Sequence, residues 1–116
     1  MARKAYPGTP DGRYFVARSR LWRSTDPRLP DAERRALVKR LMRARLDVRD
    51  ALRADDEDAR KEARARVHEA KVALGERGPV WWDDGAPDEN RRHPANTSYA
   101  DWWANLSDDE RAEGER

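Results

Sequence analysis

Along residues 31–54, a stretch without glycine or proline, apolar residues recur at alternating steps of four and three. Leu37, Leu41, Ala44, Val48 and Ala51, with Leu52 beside them, fall on one stripe of a helix. Pro30 suits the first helical position, and Asp31 and Glu33 lie where the positive end of the helix dipole favours acids. A second stripe of Ala59, Ala63, Val67, Ala70 and Leu74, with Ala73 beside it, predicts a helix over 57–76. Its small residues let two helices approach closely. Asp55-Asp56-Glu57-Asp58 can cap and charge the start of that helix, and Gly75 and Gly78-Pro79 end it.

A single long helix in a dimeric coiled coil is the competing reading, because nothing between 54 and 58 forbids helix. Its heptad would carry the apolar seam onto Asp55, Asp58, Glu62 and Glu69. A reversal of the chain avoids that burial. The pattern therefore predicts a mainly α protein built on an antiparallel helical hairpin, about 31–54 and 57–76.

Met42 and Leu46 lie off the first stripe, Val38 sits at its margin, and Val72 is off the second. They offer a docking surface for the N- and C-terminal arms, which carry Tyr14, Phe15, Leu21 and Trp22 on one side and Trp81, Trp82, Tyr99, Trp102 and Trp103 on the other. Residues 13–23 read as extended, bounded by Gly12 and by Ser24-Thr25-Asp26-Pro27. Val80-Trp81-Trp82 is the candidate partner for a short two-stranded β pairing, and a short helix at 14–22 is the rival. Beyond a loop with Gly85, Pro87 and Pro94, Ser98 is placed to cap a short C-terminal helix near 99–105, with Asp101 three residues on. Ser107 and Glu110 form a second capping box. The expected organisation is one domain, 1–116, with 1–12 and 107–116 as flexible tails.

Composition narrows this further. Of 116 residues, 41% are charged, and only 25 are large and apolar, with no isoleucine and 18 alanines. Mean hydropathy is -1.21, near the border of disorder. The core must be thin, made of Leu, Val and Ala with a few aromatic plugs. Without cysteine there is no disulfide and no thiolate metal site. No apolar run approaches the roughly 18 residues of a membrane span, and the opening has no apolar stretch of a secretory signal. The expected location is cytoplasmic, with no membrane partner. The net charge of +2 hides a gradient: seven basic and two acidic residues in 1–30, against four and ten in 79–116. That polarity can steer an anionic partner to one end or let the acidic tail lie against the basic arm of its own chain.

The segment from Trp81 to Arg92 is the richest in chemistry. Trp81, Trp82, Asp83, Asp84, Asp88 and Arg91 form a candidate protein-binding loop, since Trp and Arg concentrate binding energy at interfaces. The plainer reading is that the tryptophans plug the core while Asp and Asn cap loop turns. Asp83, Asp84, Asp88, Glu89 and Asn90 are oxygen donors, but their spacing does not match a calcium loop, so no metal site is assigned. His68 and His93 are isolated, no nucleophile–base set is recognisable, and no cofactor is implied. A candidate nucleic-acid patch joins Arg13, Arg18, Arg20 and Arg23, with Arg3 and Lys4, to Tyr6, Tyr14, Phe15 and Trp22, and continues along Arg35, Lys39, Arg40 and Arg43. Against it, acids nearly balance bases, and many pair at helical spacing, as Arg43 does with Asp47.

Gly78-Pro79-Val80-Trp81-Trp82-Asp83-Asp84-Gly85-Ala86-Pro87-Asp88, Asn96 to Trp102 and the opening Tyr14 to Arg23 together resemble short bacterial proteins that share these motifs. Some of those are labelled Tol-type biopolymer transporters, whose subunits anchor through a membrane helix. The resemblance covers most of 12–104 and implies a shared motif set without naming site residues or a mechanism. The reading of the chain is a non-enzymatic helical-hairpin protein that acts as a protein–protein interaction module, as a monomer or homodimer, with an unknown protein partner. The alternative is a small nucleic-acid-binding protein that uses the basic arm and first helix.

Overall fold

A computed structural model of the chain describes residues 5–116. They form two compact units: a helical hairpin unit, Thr25–Trp81, and an aromatic unit that joins the N-terminal segment to Ser24 with Trp82–Arg116.

In the hairpin unit, helix α1 spans Asp31–Arg53 and helix α2 spans Glu57–Ala73. They pack through Leu37, Leu41, Ala70 and Leu74, with Leu29, Val38 and Val67 alongside. Each leucine so buried is worth about 1.5–3 kcal/mol. Ala44, Ala51 and Ala63 are buried in the same seam and keep the helices close. The continuous helix is excluded by the backbone at Asp55, which has φ 53°. Asp56 N–H donates to Ala51 at 2.9 Å and Asp55 N–H to Leu52 at 3.2 Å, which is a Schellman closure of α1. Asp56 then turns to its second task, its carboxylate accepting the Ala59 N–H at 3.0 Å as N-cap of α2. One residue thus ends one helix and starts the next, so the reversal needs only three residues.

The far end of α2 repeats the device with Gly75 at φ 82°. Gly75 N–H donates to Val72 and Glu76 N–H to Lys71. A Cβ at Gly75 would lie 2.9 Å from the Asp26 Cβ and 3.0 Å from Trp81 Cδ1, so Trp81 packs against the bare backbone there. Pro30 stands one position earlier than its sequence suggested, as the N-cap with no side-chain bond.

The aromatic unit opens with a β-hairpin in place of a single strand. Strand β1, Tyr14–Ala17, pairs antiparallel with β2, Arg20–Arg23, in the register Tyr14 with Arg23 and Ala17 with Arg20. Arg18 and Ser19 turn it with φ of 53° and 62°, the left-handed pair that a two-residue hairpin turn requires. The partner is therefore within 13–23, and Val80-Trp81-Trp82 is not a strand. Both outer edges are covered. Val16 N–H donates to Pro7, and Gly8 bridges Phe15. Leu21 exchanges backbone bonds with Arg91 and Arg92 at 2.7 and 2.9 Å. Covered edges cannot recruit another strand.

A 3₁₀ turn, Pro94–Asn96, leads to helix α3, Ala100–Ala104, and helix α4, Asp108–Glu115. Ser98 does not cap α3, whose N-cap is Tyr99 without a side-chain bond. The Ser107–Glu110 capping box is present. Residues 107–116, expected as a flexible tail, contain α4, and its Gly114 lies against Trp103 and Val16 so tightly that a Cβ would come within 2.9 Å of the indole. Ser19 N–H donates to the Gly114 carbonyl.

The aromatics of the two arms pack on one another. Met42 and Leu46, which they were expected to cover, are 59% and 40% exposed. No helix among the described residues is long and apolar enough to cross a membrane.

Candidate functional site

Two regions compete for the role of contact surface, and their geometry separates them. The first is the tryptophan–aspartate loop in the aromatic unit. Tyr14 is buried at its centre, edge-on to both Trp82 and Tyr99 with ring centroids 5.6 Å apart. The Trp82 indole N–H donates to the Ala86 carbonyl at 2.8 Å, and the Arg13 guanidinium lies over the indole, 4.7 Å from the ring centre. Arg13 also pairs with Asp84, a hydrogen bond that raises the guanidinium pKa and holds the Asp84 carboxyl below its usual range.

Asp88 and Glu89 of the loop are engaged as well. Asp88 accepts from the Tyr14 hydroxyl at 3.2 Å, from Arg23 at 3.3 Å and from the Asn90 N–H at 3.0 Å. Glu89 is buried, and its carboxylate accepts the Ser98 N–H at 2.9 Å and the Ser98 hydroxyl at 2.6 Å. That bond explains why Ser98 is lost to α3 as a cap. The Glu89 N–H in turn donates to the Tyr14 hydroxyl at 2.8 Å. Burial pushes the Tyr14 phenol up to about 12, with the nearby Asp88 adding to it. Burial, followed by its bond to Asp11, raises the Tyr99 phenol too. Burial alone would raise Asp11, but the Tyr99 hydroxyl at 2.7 Å, Thr9 and Arg13 together hold it below the usual carboxylate value.

The loop's polar groups thus point into its own fold. Of the candidate loop residues, Trp82 is buried, Asp84 and Asp88 are bonded within the unit, and Arg91 is fixed at φ 74° by its N–H bond to Leu21. Trp81 belongs to the hairpin unit, and Asp83 is exposed. Among the described residues, no group of three or more His, Asp or Glu is placed to hold a metal ion.

The nucleic-acid patch divides in the same way. Arg23 is 3% exposed and Arg13 is engaged with Asp84 and Trp82. Arg18 and Arg20 stand exposed at the β-turn, and Arg35, Lys39 and Arg43 are exposed on α1 of the other unit. Arg3 and Lys4 lie outside the described residues.

The second region is a groove on one face of the hairpin, with a volume of about 480 Å³. Leu37 and Ala44 of α1 with Ala70 and Ala73 of α2 make its floor, and Lys39, Arg40, Arg43, Arg66 and Glu69 stand around it. Small floor residues leave depth where larger ones would fill it. Arg43 and Arg66 share Asp47, at 3.4 and 2.9 Å. The rim therefore carries four cations and one carboxylate in Glu69. Reading the sequence as a seam identified these alanines as contacts between helices. It missed that the same small side chains leave a channel beside the contact.

No family model, curated protein or solved structure matches this chain.

Proposed function

We propose that the chain is a non-enzymatic interaction module whose helical hairpin receives an amphipathic helix of a partner protein in the groove over Leu37, Ala44, Ala70 and Ala73. The observation that carries this reading is an open apolar channel with a basic rim. A third helix laid along it would bury small apolar side chains against alanine, at close approach, as helix-in-groove recognition requires. Lys39 and Arg40, with Arg43 and Arg66 already sharing Asp47, select for acids along the flanks of that helix, which sets orientation and on-rate more than affinity. The tryptophan–aspartate loop then serves the fold, since Asp84, Asp88 and the Trp82 indole are engaged internally.

The test is an anisotropy titration of the full chain with a labelled amphipathic peptide bearing a Leu/Ala face and flanking glutamates. Saturable binding is expected, weakened tenfold or more by Lys39→Glu with Arg40→Glu and by Ala73→Glu, while Lys61→Glu leaves it unchanged. A peptide with lysines at the flanking positions binding equally well would rule the groove out as the recognition surface.

The nucleic-acid reading has less support. Two of its four arm arginines are held by Asp84 and Asp88, and freeing them for phosphates would cost those pairs.

A further inference from the structure

A second cavity on the hairpin also carries cations. Arg45 and Val48 of α1, Arg64 and Val67 of α2, and Arg77 just beyond it line a cavity of about 360 Å³. Among the described residues, none of these three arginines makes an ion pair or side-chain hydrogen bond. Elsewhere on the same helices Arg34, Arg43, Arg49, Arg60 and Arg66 each find an acid, whereas Arg35, Arg40 and Arg53 do not among the described residues. Lys71 stands close by, its ammonium disfavoured first by burial and then by Arg45 and Arg77, with Glu76 acting in the opposite direction. Glu76 itself accepts the Thr25 hydroxyl at 2.8 Å. Four cations therefore gather around an apolar floor with a single carboxylate near them. Like charges in one cavity repel, and Glu76 offsets that repulsion only in part.

We infer that this cavity binds a small phosphate-bearing ligand with an apolar or aromatic portion, of nucleotide type. The planar guanidinium presents paired donors that match phosphoryl oxygens, and three of them lining one cavity can take two or more phosphoryl groups. Val48 and Val67 offer the floor on which a ring would lie. The volume falls within the range of about 300–1,000 Å³ in which small-ligand clefts occur. A long nucleic acid fits less well, because the basic track stops along the helices: Arg49 is already paired with Asp50 and Arg60 with Glu57.

Calorimetric titration of the full chain at low salt with inorganic pyrophosphate and with adenosine triphosphate tests this. Saturable binding of both is expected, with the nucleotide at least tenfold tighter because it adds the floor contact. Arg64→Gln and Arg77→Gln should each weaken nucleotide binding tenfold or more, while Arg53→Gln and Lys61→Gln leave it unchanged. Without ligand, Arg77→Gln should melt no lower than the parent, since it removes a repelling charge and no bond. Absence of saturation overturns the assignment, as does equal loss in the Lys61→Gln control or pyrophosphate binding as tightly as the nucleotide. A single-stranded oligonucleotide that binds in proportion to its length, indifferent to Arg64→Gln and Arg77→Gln, overturns it too.

Discussion

The hairpin unit and the aromatic unit spend their side chains in opposite ways. In the hairpin, α1 and α2 meet through leucines and alanines whose spacing repeats every turn, and the polar residues face outward. In the aromatic unit, five named hydrogen bonds or ion pairs join residues 65 to 88 positions apart: Arg23 with Asp88, Arg13 with Asp84, Tyr14 with Asp88, Glu89 with Tyr14, and Tyr99 with Asp11. There the charged groups are structural. This difference identifies where function is to be sought. A side chain whose hydrogen-bonding capacity is met inside the fold has little left for a partner, so the unit richest in conspicuous residues is the poorer candidate for binding. The plain-looking hairpin keeps several of its arginines, Arg40, Arg45, Arg64 and Arg77 among them, without an ion pair among the described residues.

The largest expected effect lies in the aromatic unit. Trp103 is 6% exposed and rests on Gly114 and Val16. Trp103→Ala removes the plug and should cost about 3–5 kcal/mol, a large share of what holds a small unit together. Near-ultraviolet circular dichroism of the tryptophans should collapse, while the far-ultraviolet helical signal, dominated by α1 and α2, should persist to higher temperature. Loss of both signals at one temperature would mean that the two units do not differ as claimed.

Alkaline pH should separate the units with a smaller effect of opposite sign. An unfolded chain releases a tyrosine proton near pH 10, whereas folded Tyr14 holds its proton to about 12. Across that interval the unfolded state binds fewer protons, so the aromatic unit loses stability as pH rises. In the hairpin, Lys71 releases its proton below the ordinary 10.5, through burial first and then Arg45 and Arg77. Approaching 10.5 the unfolded state binds more protons there, and the hairpin gains stability. Urea midpoints followed by helical signal and by tryptophan signal should therefore diverge as pH rises toward about 12, the tryptophan midpoint falling mainly above about pH 10. Parallel movement of the two midpoints would remove the contrast.

How much of each unit could be read in advance follows from the range of its interactions. The helices and their seam were legible because Leu37, Leu41, Ala70 and Leu74 announce themselves by period, and the reversal because an apolar seam would otherwise have run onto Asp55 and Asp58. The β-hairpin was hidden. Its turn is Arg18-Ser19, residues without the glycine or asparagine that usually marks a left-handed pair. Ser98 carried a cap signal that Glu89, nine residues away, captured instead. Gly114 sat in a run of charge that reads as frayed, and only the approach of Trp103 gives its missing side chain a purpose. The candidate groove was half visible: its alanines were recognised as contacts but not as a floor.

The smallest effect concerns the two turns, which share one awkward feature in different settings. Asp55 and Ser19 both hold positive φ without being glycine. A left-handed conformation costs an ordinary residue roughly 1–2 kcal/mol, while glycine gives back about 0.5–1 kcal/mol through the freedom of its unfolded chain. Asp55→Gly should therefore stabilise the hairpin by about 0.5–1 kcal/mol. It also removes one charge from the run Asp55-Asp56-Glu57-Asp58 and breaks no side-chain bond. Ser19→Gly should gain less, because the same substitution loosens a turn whose neighbours, β1 and β2, are only four residues each and whose N–H is already tied to Gly114. Denaturation midpoints of the two single variants check this directly. If Asp55→Gly lowers the hairpin's midpoint, then the aspartate contributes something at the reversal beyond tolerance of its backbone. The closure of α1 onto α2 would in that case be held by a side chain, and the contrast between a locally built hairpin and a distantly tied aromatic unit would narrow at its sharpest point.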